Sequence, residues 1–254
     1  MLSSPERQCI ISRQKLPSAY MINLRPTLFP PPTSKLYLLP DRILHPKSAA
    51  PKTGKGMWIS NHHLVIPQLA TREKSLRQRV PGLSIPSFLP EMIHDQLQQR
   101  VIQELELLKV RPERTVRRLS VDESKGLVPL RDEENIVAFL DLRKTNHEPI
   151  FPSAPAMPYY PITPLFTSPP RLVELHQSIS HLLSIQRNRV RRHLLSLSPT
   201  SSEQQTTPKY PTPSSILALL SGSEVSLSLE RLSMHTGKGW DTIPVLGQKG
   251  ARTT

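Results

Sequence analysis

The stretch Pro90-Glu91-Met92-Ile93-His94-Asp95-Gln96-Leu97-Gln98-Gln99-Arg100-Val101-Ile102-Gln103-Glu104-Leu105-Glu106-Leu107-Leu108-Lys109 decides how the fold is read. Ile93, Leu97, Val101, Leu105 and Leu108 recur at intervals of four, four, four and three, which lines one side of an α-helix. Gln96, Gln99, Arg100, Gln103 and Glu106 occupy the remaining sides. Ser87 reads as the N-cap, Pro90 suits the first turn, Glu91 favours the positive helix end, and Pro112 stops the run. So clean an apolar face must be buried against something, and the expectation is a neighbouring protein.

A second periodic stretch covers 170–197. Leu172, Leu175, Ile179, Leu182, Val190, Leu194 and Leu197 repeat at threes and fours, with Gln186 filling the slot between Leu182 and Val190. Its last third carries Arg187, Arg189, Arg191 and Arg192. Cations there complement the negative end of a helix, but four over two turns exceed what capping needs, so phosphate contact is the functional reading.

Proline shapes the rest. The chain holds 28, and at 17–51 and 148–170 they recur too closely for a helix. Both segments read as extended and irregular, with apolar residues such as Leu36, Tyr37, Leu38, Tyr159 and Tyr160 available for contact. Short strands are expected around Trp58-Ile59 and Leu64-Val65-Ile66, and Asn135–Leu142 reads as a strand or a short buried helix. Residues 198–213 are low in complexity. Thr212 reads as the cap of a short helix, Pro213–Leu220, stopped by Gly222. Val225, Leu227 and Leu229 alternate with Ser226 and Ser228 as in a strand, until Leu232 breaks the period.

The expected class is therefore mainly α with extended, Pro-rich irregular segments, two amphipathic helices, little regular sheet and no compact single-domain core. The expected regions are a basic arm (1–56), a mixed helical region (57–147), a Pro-rich linker (148–170), the basic amphipathic helix (171–197) and a low-complexity basic tail (198–254). Hydrophobic residues at 37% and aromatics at 5% agree with a small core, while the abundance of leucine excludes full disorder. A weakly selected frame would also be rich in Leu, Ser, Pro and Arg, but glycine, with four codons, occurs only 9 times, and the helical periodicity points to selection.

A net charge of +13 favours polyanionic partners, since each cation on a phosphate releases counterions. The single cysteine, Cys9, excludes an internal disulfide framework and a cysteine-based zinc site, and points to a reducing compartment. No apolar run is long enough to span a bilayer. The first fifty residues set Arg7, Arg13, Lys15, Arg25, Lys35, Arg42 and Lys47 against only Glu6 and Asp41, the bias of a mitochondrial presequence or of a plain basic arm.

Thr53-Gly54-Lys55-Gly56-Met57-Trp58 is echoed by Thr236-Gly237-Lys238-Gly239-Trp240, and Gly-Lys-Gly turns can offer backbone donors to phosphate. The echo lacks the upstream glycine and following hydroxyl of a P-loop. The adjacent His62 and His63 should point apart, and His176 and His181 are five rather than four apart, so the histidines spell no ligand set. Asp132, Glu133, Glu134 and Asp141 read as a solvated acidic turn rather than a Mg²⁺ site. Cys9 has no base beside it in sequence, and no nucleophile elbow, zincin or dinucleotide motif is present. Arg117-Arg118-Leu119-Ser120 would suit a basic-directed kinase.

The functional expectation is a non-catalytic structural subunit of an RNA–protein assembly, best fitted by the mitochondrial ribosome or its assembly machinery, in the mitochondrial matrix. Arg187, Arg189, Arg191, Arg192, Lys55 and Lys238 would contact RNA, expected to be rRNA, while Ile93, Leu97, Val101, Leu105 and Leu108 would pack on neighbouring subunits. No cofactor, metal, small-molecule substrate or catalytic residue is expected. The alternative is a nuclear or cytosolic interaction scaffold regulated by phosphorylation at Ser120.

Overall fold

A computed structural model describes residues 4–28, 35–46, 56–111, 115–125, 127–130, 135–143, 157–197, 213–220 and 224–237. The chain divides into two compact units, residues 1–100 with 227–254, and residues 101–226. Among the described residues 47% are helical and 27% lie in strands, arranged in three sheets. The expectation of a mainly α chain with little sheet and no compact core is therefore overturned.

In the first unit β1 (Glu6–Gln8) and β2 (Lys15–Pro17) form a small antiparallel hairpin, followed by a 3-10 turn, Ser18–Tyr20. Next come β3 (Met21–Leu28), β4 (Leu36–Asp41), β5 (Met57–Ser60), α1 (Val65–Thr71), α2 (Glu73–Arg79), β6 (Leu83–Ser84) and α3 (Leu89–Leu108), whose part from Val101 on belongs to the second unit. The sheet order is β5-β3-β4-β6, with β3 antiparallel to both neighbours and β4 parallel to β6. Prolines that seemed to forbid regular structure sit where this sheet tolerates them. Pro26 lies past Leu24, the last residue that β5 pairs, and Pro40 lies past Tyr37, the last that β6 pairs. Each proline thus falls where its strand has one free edge and a missing N–H breaks no second ladder. The segment read as irregular is the centre of a sheet, and Ile22, Leu24 and Leu38 are fully buried in it.

The second unit holds β7 (Val116–Ser120), α4 (Val121–Ser124), β8 (Ile136–Asp141), β9 (Tyr159–Pro161), α5 (Ile162–Leu165), α6 (Pro169–Leu197) and β10 (Pro213–Leu220); α7 (Val225–His235) follows and lies mostly in the first unit. The sheet order is β7-β10-β8-β9, with β10 antiparallel to β7 and β8, and β8 parallel to β9. Both four-stranded sheets thus share one layout, a central strand antiparallel to two neighbours and a short parallel strand at one edge.

One short element differs from its expected identity, and a second, which its broken period left open, is decided by the structure. Pro213–Leu220 is a strand, not a helix, because Ile216, Leu217, Ala218, Leu219 and Leu220 are all buried. A run apolar on both faces suits a strand with neighbours on both edges, whatever the helix propensity of Leu and Ala. Val225–His235 is a helix, since Val225, Ser228, Leu229, Leu232 and His235 are buried at intervals of three, one, three and three, whereas Leu227 is exposed. Likewise Val65 and Ile66, read as strand, open α1.

Charge is admitted to the interiors in pairs. Arg25 meets Asp41 at 2.9 Å, and Arg117 reaches both Glu123 oxygens at 2.8 and 3.0 Å, with both of those side chains buried. Among the described residues no helix is long and apolar enough to cross a membrane.

Leu217, fully buried in the central strand β10, should be a sensitive reporter of this sheet. Leu217→Ala is expected to cost about 3 kcal/mol in a urea unfolding curve with unchanged slope. A cost near zero would mean that β10 does not occupy the centre of the sheet.

Candidate functional site

The arginine-rich end of α6 is built by a change in what the helix does along its length. Leu175, Ile179, Leu182 and Gln186 form its buried side at intervals of four, three and four. Gln186 donates to the Thr115 hydroxyl at 3.4 Å, and the Ser178 hydroxyl donates to Glu106 at 2.6 Å. From Arg187 to Arg192 the stripe is interrupted. Val190, expected on the apolar side, is 51% exposed, and Arg187, Asn188, Arg191 and Arg192 are exposed around it. The side chains of Leu194 and Leu197 lie outside the description.

Arg189 departs from its three companions. It is partly buried, and its guanidinium donates to the carbonyls of Arg111 and Lys109, the latter at 2.7 Å. Those carbonyls follow the last turn of α3, where helix acceptors lack internal partners, so Arg189 closes a helix end rather than facing solvent. The cationic surface of α6 is thus Arg187, Arg191 and Arg192.

The other residues singled out in the sequence are placed as follows. Ile93, Leu97, Val101, Leu105 and Leu108 are each 2% exposed or less, so the face expected to meet a partner is used up inside the chain itself. Lys55 and Lys238 lie outside the described residues, as do Asp132, Glu133 and Glu134. Ser120 is the N-cap of α4: its hydroxyl accepts from Glu123 N–H at 3.1 Å, and the Glu123 carboxylate accepts from Ser120 N–H at 2.8 Å. Arg117 of the basic pattern before it is buried against the same Glu123. Cys9 is fully buried, and its sulfur accepts N–H groups from Ser12 and Ser60 at 3.4 and 3.3 Å.

Asp141 is no open carboxylate either. Arg143 Nε and Nη2 donate to it at 2.9 and 2.8 Å, and the Tyr159 hydroxyl donates to it as well. Burial alone would raise the Asp141 pKa, but those hydrogen bonds outweigh it and hold the carboxyl below its usual range. The hydrogen bond to Asp141 is also the chief reason Arg143 is pushed further up. Tyr159 is pushed up to about 12, by burial first and then by the adjacent carboxylate. A carboxylate so fully engaged holds β8 to β9 and has no oxygen left for acid–base work.

Sequence spacing gave no hint of the cluster at the end of α7. His62 and His63 do not point apart: their rings stack at 4.7 Å with 18° between planes. His94 stacks on His235 at 5.7 Å and lies 2.9 Å from the Gln98 amide. His63 N–H donates to the His235 carbonyl at 3.0 Å. Gly237 closes the group at φ 90°, where a Cβ would come within 2.8 Å of the His63 ring. In the first copy of the echo, Gly56 packs so closely on Asn23 that a Cβ would overlap it. These two glycines of the echo are therefore demanded by packing. Four histidines from three distant points of the chain can meet only once it has folded. Among the described residues no three His, Cys, Asp or Glu are grouped to hold a metal ion.

No family model, no curated protein and no solved structure matches this chain.

Alkaline titration followed at the phenolate absorption band should show one tyrosine ionising near pH 12, and Tyr159→Phe should abolish that step. Because the folded pKa lies above the ordinary 10, this bond's contribution persists below pH 10 and fades as pH climbs towards 12. A titration in which Tyr159→Phe removes an ordinary step near 10 would refute the buried hydrogen bond. Gly237→Ala should destabilise the first unit by about 1–3 kcal/mol, read as a lowered urea midpoint, because the added methyl meets both an unfavourable φ and the His63 ring. A neutral effect would show that the close approach is absent.

Proposed function

We propose that the chain is a non-catalytic, RNA-associated structural subunit, best fitted by the mitochondrial ribosome or its assembly machinery, working in the mitochondrial matrix with rRNA and neighbouring subunits as partners. One observation carries this reading. Between Arg187 and Arg192 the apolar side of α6 is interrupted, and Arg187, Arg191 and Arg192 are exposed there on more than one side while Arg189 alone turns inward. A helix end of this kind costs side-chain entropy and self-repulsion unless a partner neutralises it, and a phosphate backbone does so with release of counterions. The surplus of +13 over the whole chain adds a long-range field of the same sign.

The scaffold regulated at Ser120 is less well supported by the geometry. A phosphate on Ser120 would remove the hydroxyl acceptor that caps α4 and would approach the Glu123 carboxylate. The buried Arg117 is also out of a kinase's reach in the folded chain. The partner protein surface is not the Ile93–Leu108 face, which is already buried.

The test is binding of the full chain to a structured RNA across a salt series. Converting Arg187, Arg191 and Arg192 together to Ala should flatten the log–log salt dependence by about 2 and weaken binding uniformly across sequences. Arg189→Ala should instead lower stability and leave the salt slope in place. An unchanged slope in the triple variant would exclude this helix end as the phosphate contact.

A further inference from the structure

The imidazoles gathered at the end of α7 serve no step of the RNA-binding reading. We propose that His62, His63, His94 and His235 form an acid-sensitive latch, which holds the C-terminal end of α7 in the first unit at neutral pH and releases it in mild acid.

The geometry makes the case. Two stacked ring pairs meet at one point: His62 on His63, and His94 on His235. A hydrogen bond from His63 N–H to the His235 carbonyl joins the pairs, and Gly237 seats the chain against the His63 ring. His235 is 4% exposed, and its Nδ1 has no hydrogen-bond partner. Neutral rings can stack in such a place, whereas a protonated one would lose its hydration and face three like groups.

Around His94 burial outweighs the one favourable charge, Asp95, and no carboxylate acts on His235. From α3 come His94, Asp95 and Arg100; from the 61–64 turn come His62 and His63; from α7 itself come Glu230 and Arg231. Asp95 acts on His94, and Glu230 accepts from the Tyr20 hydroxyl at 3.5 Å. Arg231 donates to the Met21 carbonyl at 3.3 Å, and burial first, then the charge of Arg100, pulls it down to about 10. The groups acting on His235 are His94, His63 and His62, all of which disfavour a further proton.

Burial and these neighbours press His235 down to about 3, and burial also lowers His62 and His94. The docked end therefore binds fewer protons than the released one. Docking is fully favoured above the ordinary histidine value of about 6.5 and is lost progressively as pH falls below it. Between pH of about 7.5 and about 5.5, His235 alone should multiply the released population about tenfold, and His62 and His94 add to that.

Amide hydrogen exchange of the full chain at the two pH values, corrected for intrinsic rates, tests the latch. Protection at 229–237 and 61–64 should fall tenfold or more in acid, while Ile22, Leu24 and Leu38 in the β3–β4 ladder keep theirs. His235→Phe, which retains a stacking ring but cannot titrate, should remove most of that loss. Equal protection at both pH values overturns the proposal, as does a parallel loss in β3 and β4 or an undiminished acid effect in the variant. The imidazole ¹⁵N spectrum of the wild type gives an answer even where the variant does not fold. A His235 that stays neutral until the end of α7 is released supports the latch, and one that titrates near 6.5 in the docked state overturns it.

Discussion

A strand buried on both faces must find hydrogen-bond partners on both edges, because no water reaches its backbone to substitute. β3 and β10 impose that condition here. Met21, Ile22 and Leu24 on β3, and Ile216 to Leu220 on β10, are all buried. Each strand meets the demand with two antiparallel neighbours, and each sheet then adds a short parallel strand at one edge. The chain order differs: the central strand comes first in one sheet and last in the other. The common layout thus follows from covering a doubly buried strand, not from a common path of the chain.

The two long helices were legible in sequence because an amphipathic helix of several turns states its burial locally. The face from Ile93 to Leu108 and the side from Leu175 to Leu182 are the buried sides of α3 and α6. Strands were legible only where one short apolar run stood alone, as at Ile136–Asp141. They were hidden in the proline-rich segments, where the meaning of Pro26 and Pro40 depends on how far β5 and β6 extend, a property of other residues. Leu217 and Leu227 illustrate the same dependence. The first lies in a run with good helix propensity and is a strand, and the second belongs to an alternation and sits on a helix. In both cases the number of covered faces decides, and single-chain periodicity over so few residues does not report it.

The candidate site shows a similar division. That arginines gather on the end of α6 is written in the sequence, but which of them is free is not. Arg189 is taken by two carbonyls about 80 residues away in the chain, and Val190, which completes the apolar pattern on paper, faces solvent. Ser120 looked like a modification site from its neighbours alone, yet its hydroxyl and the neighbouring Arg117 are both committed to Glu123. The histidine cluster left no trace in the sequence, since its members are separated by up to 173 residues, the distance from His62 to His235.

The distribution of charge ties these observations together. Desolvating an ion is tolerable only with a counter-charge at hand, and Arg25–Asp41, Arg117–Glu123 and Arg143–Asp141 each meet that rule. Such pairs consume acids and cations one for one, so they leave the surplus of +13 untouched and drive it to the surface. Arg187, Arg191 and Arg192 are where that surplus is most concentrated among the described helices. The end of α7 departs from the rule, with Arg231 and four imidazoles brought together without a carboxylate bound to His235. Its packing therefore favours a neutral His235, a condition that solvent pH controls and packing alone does not.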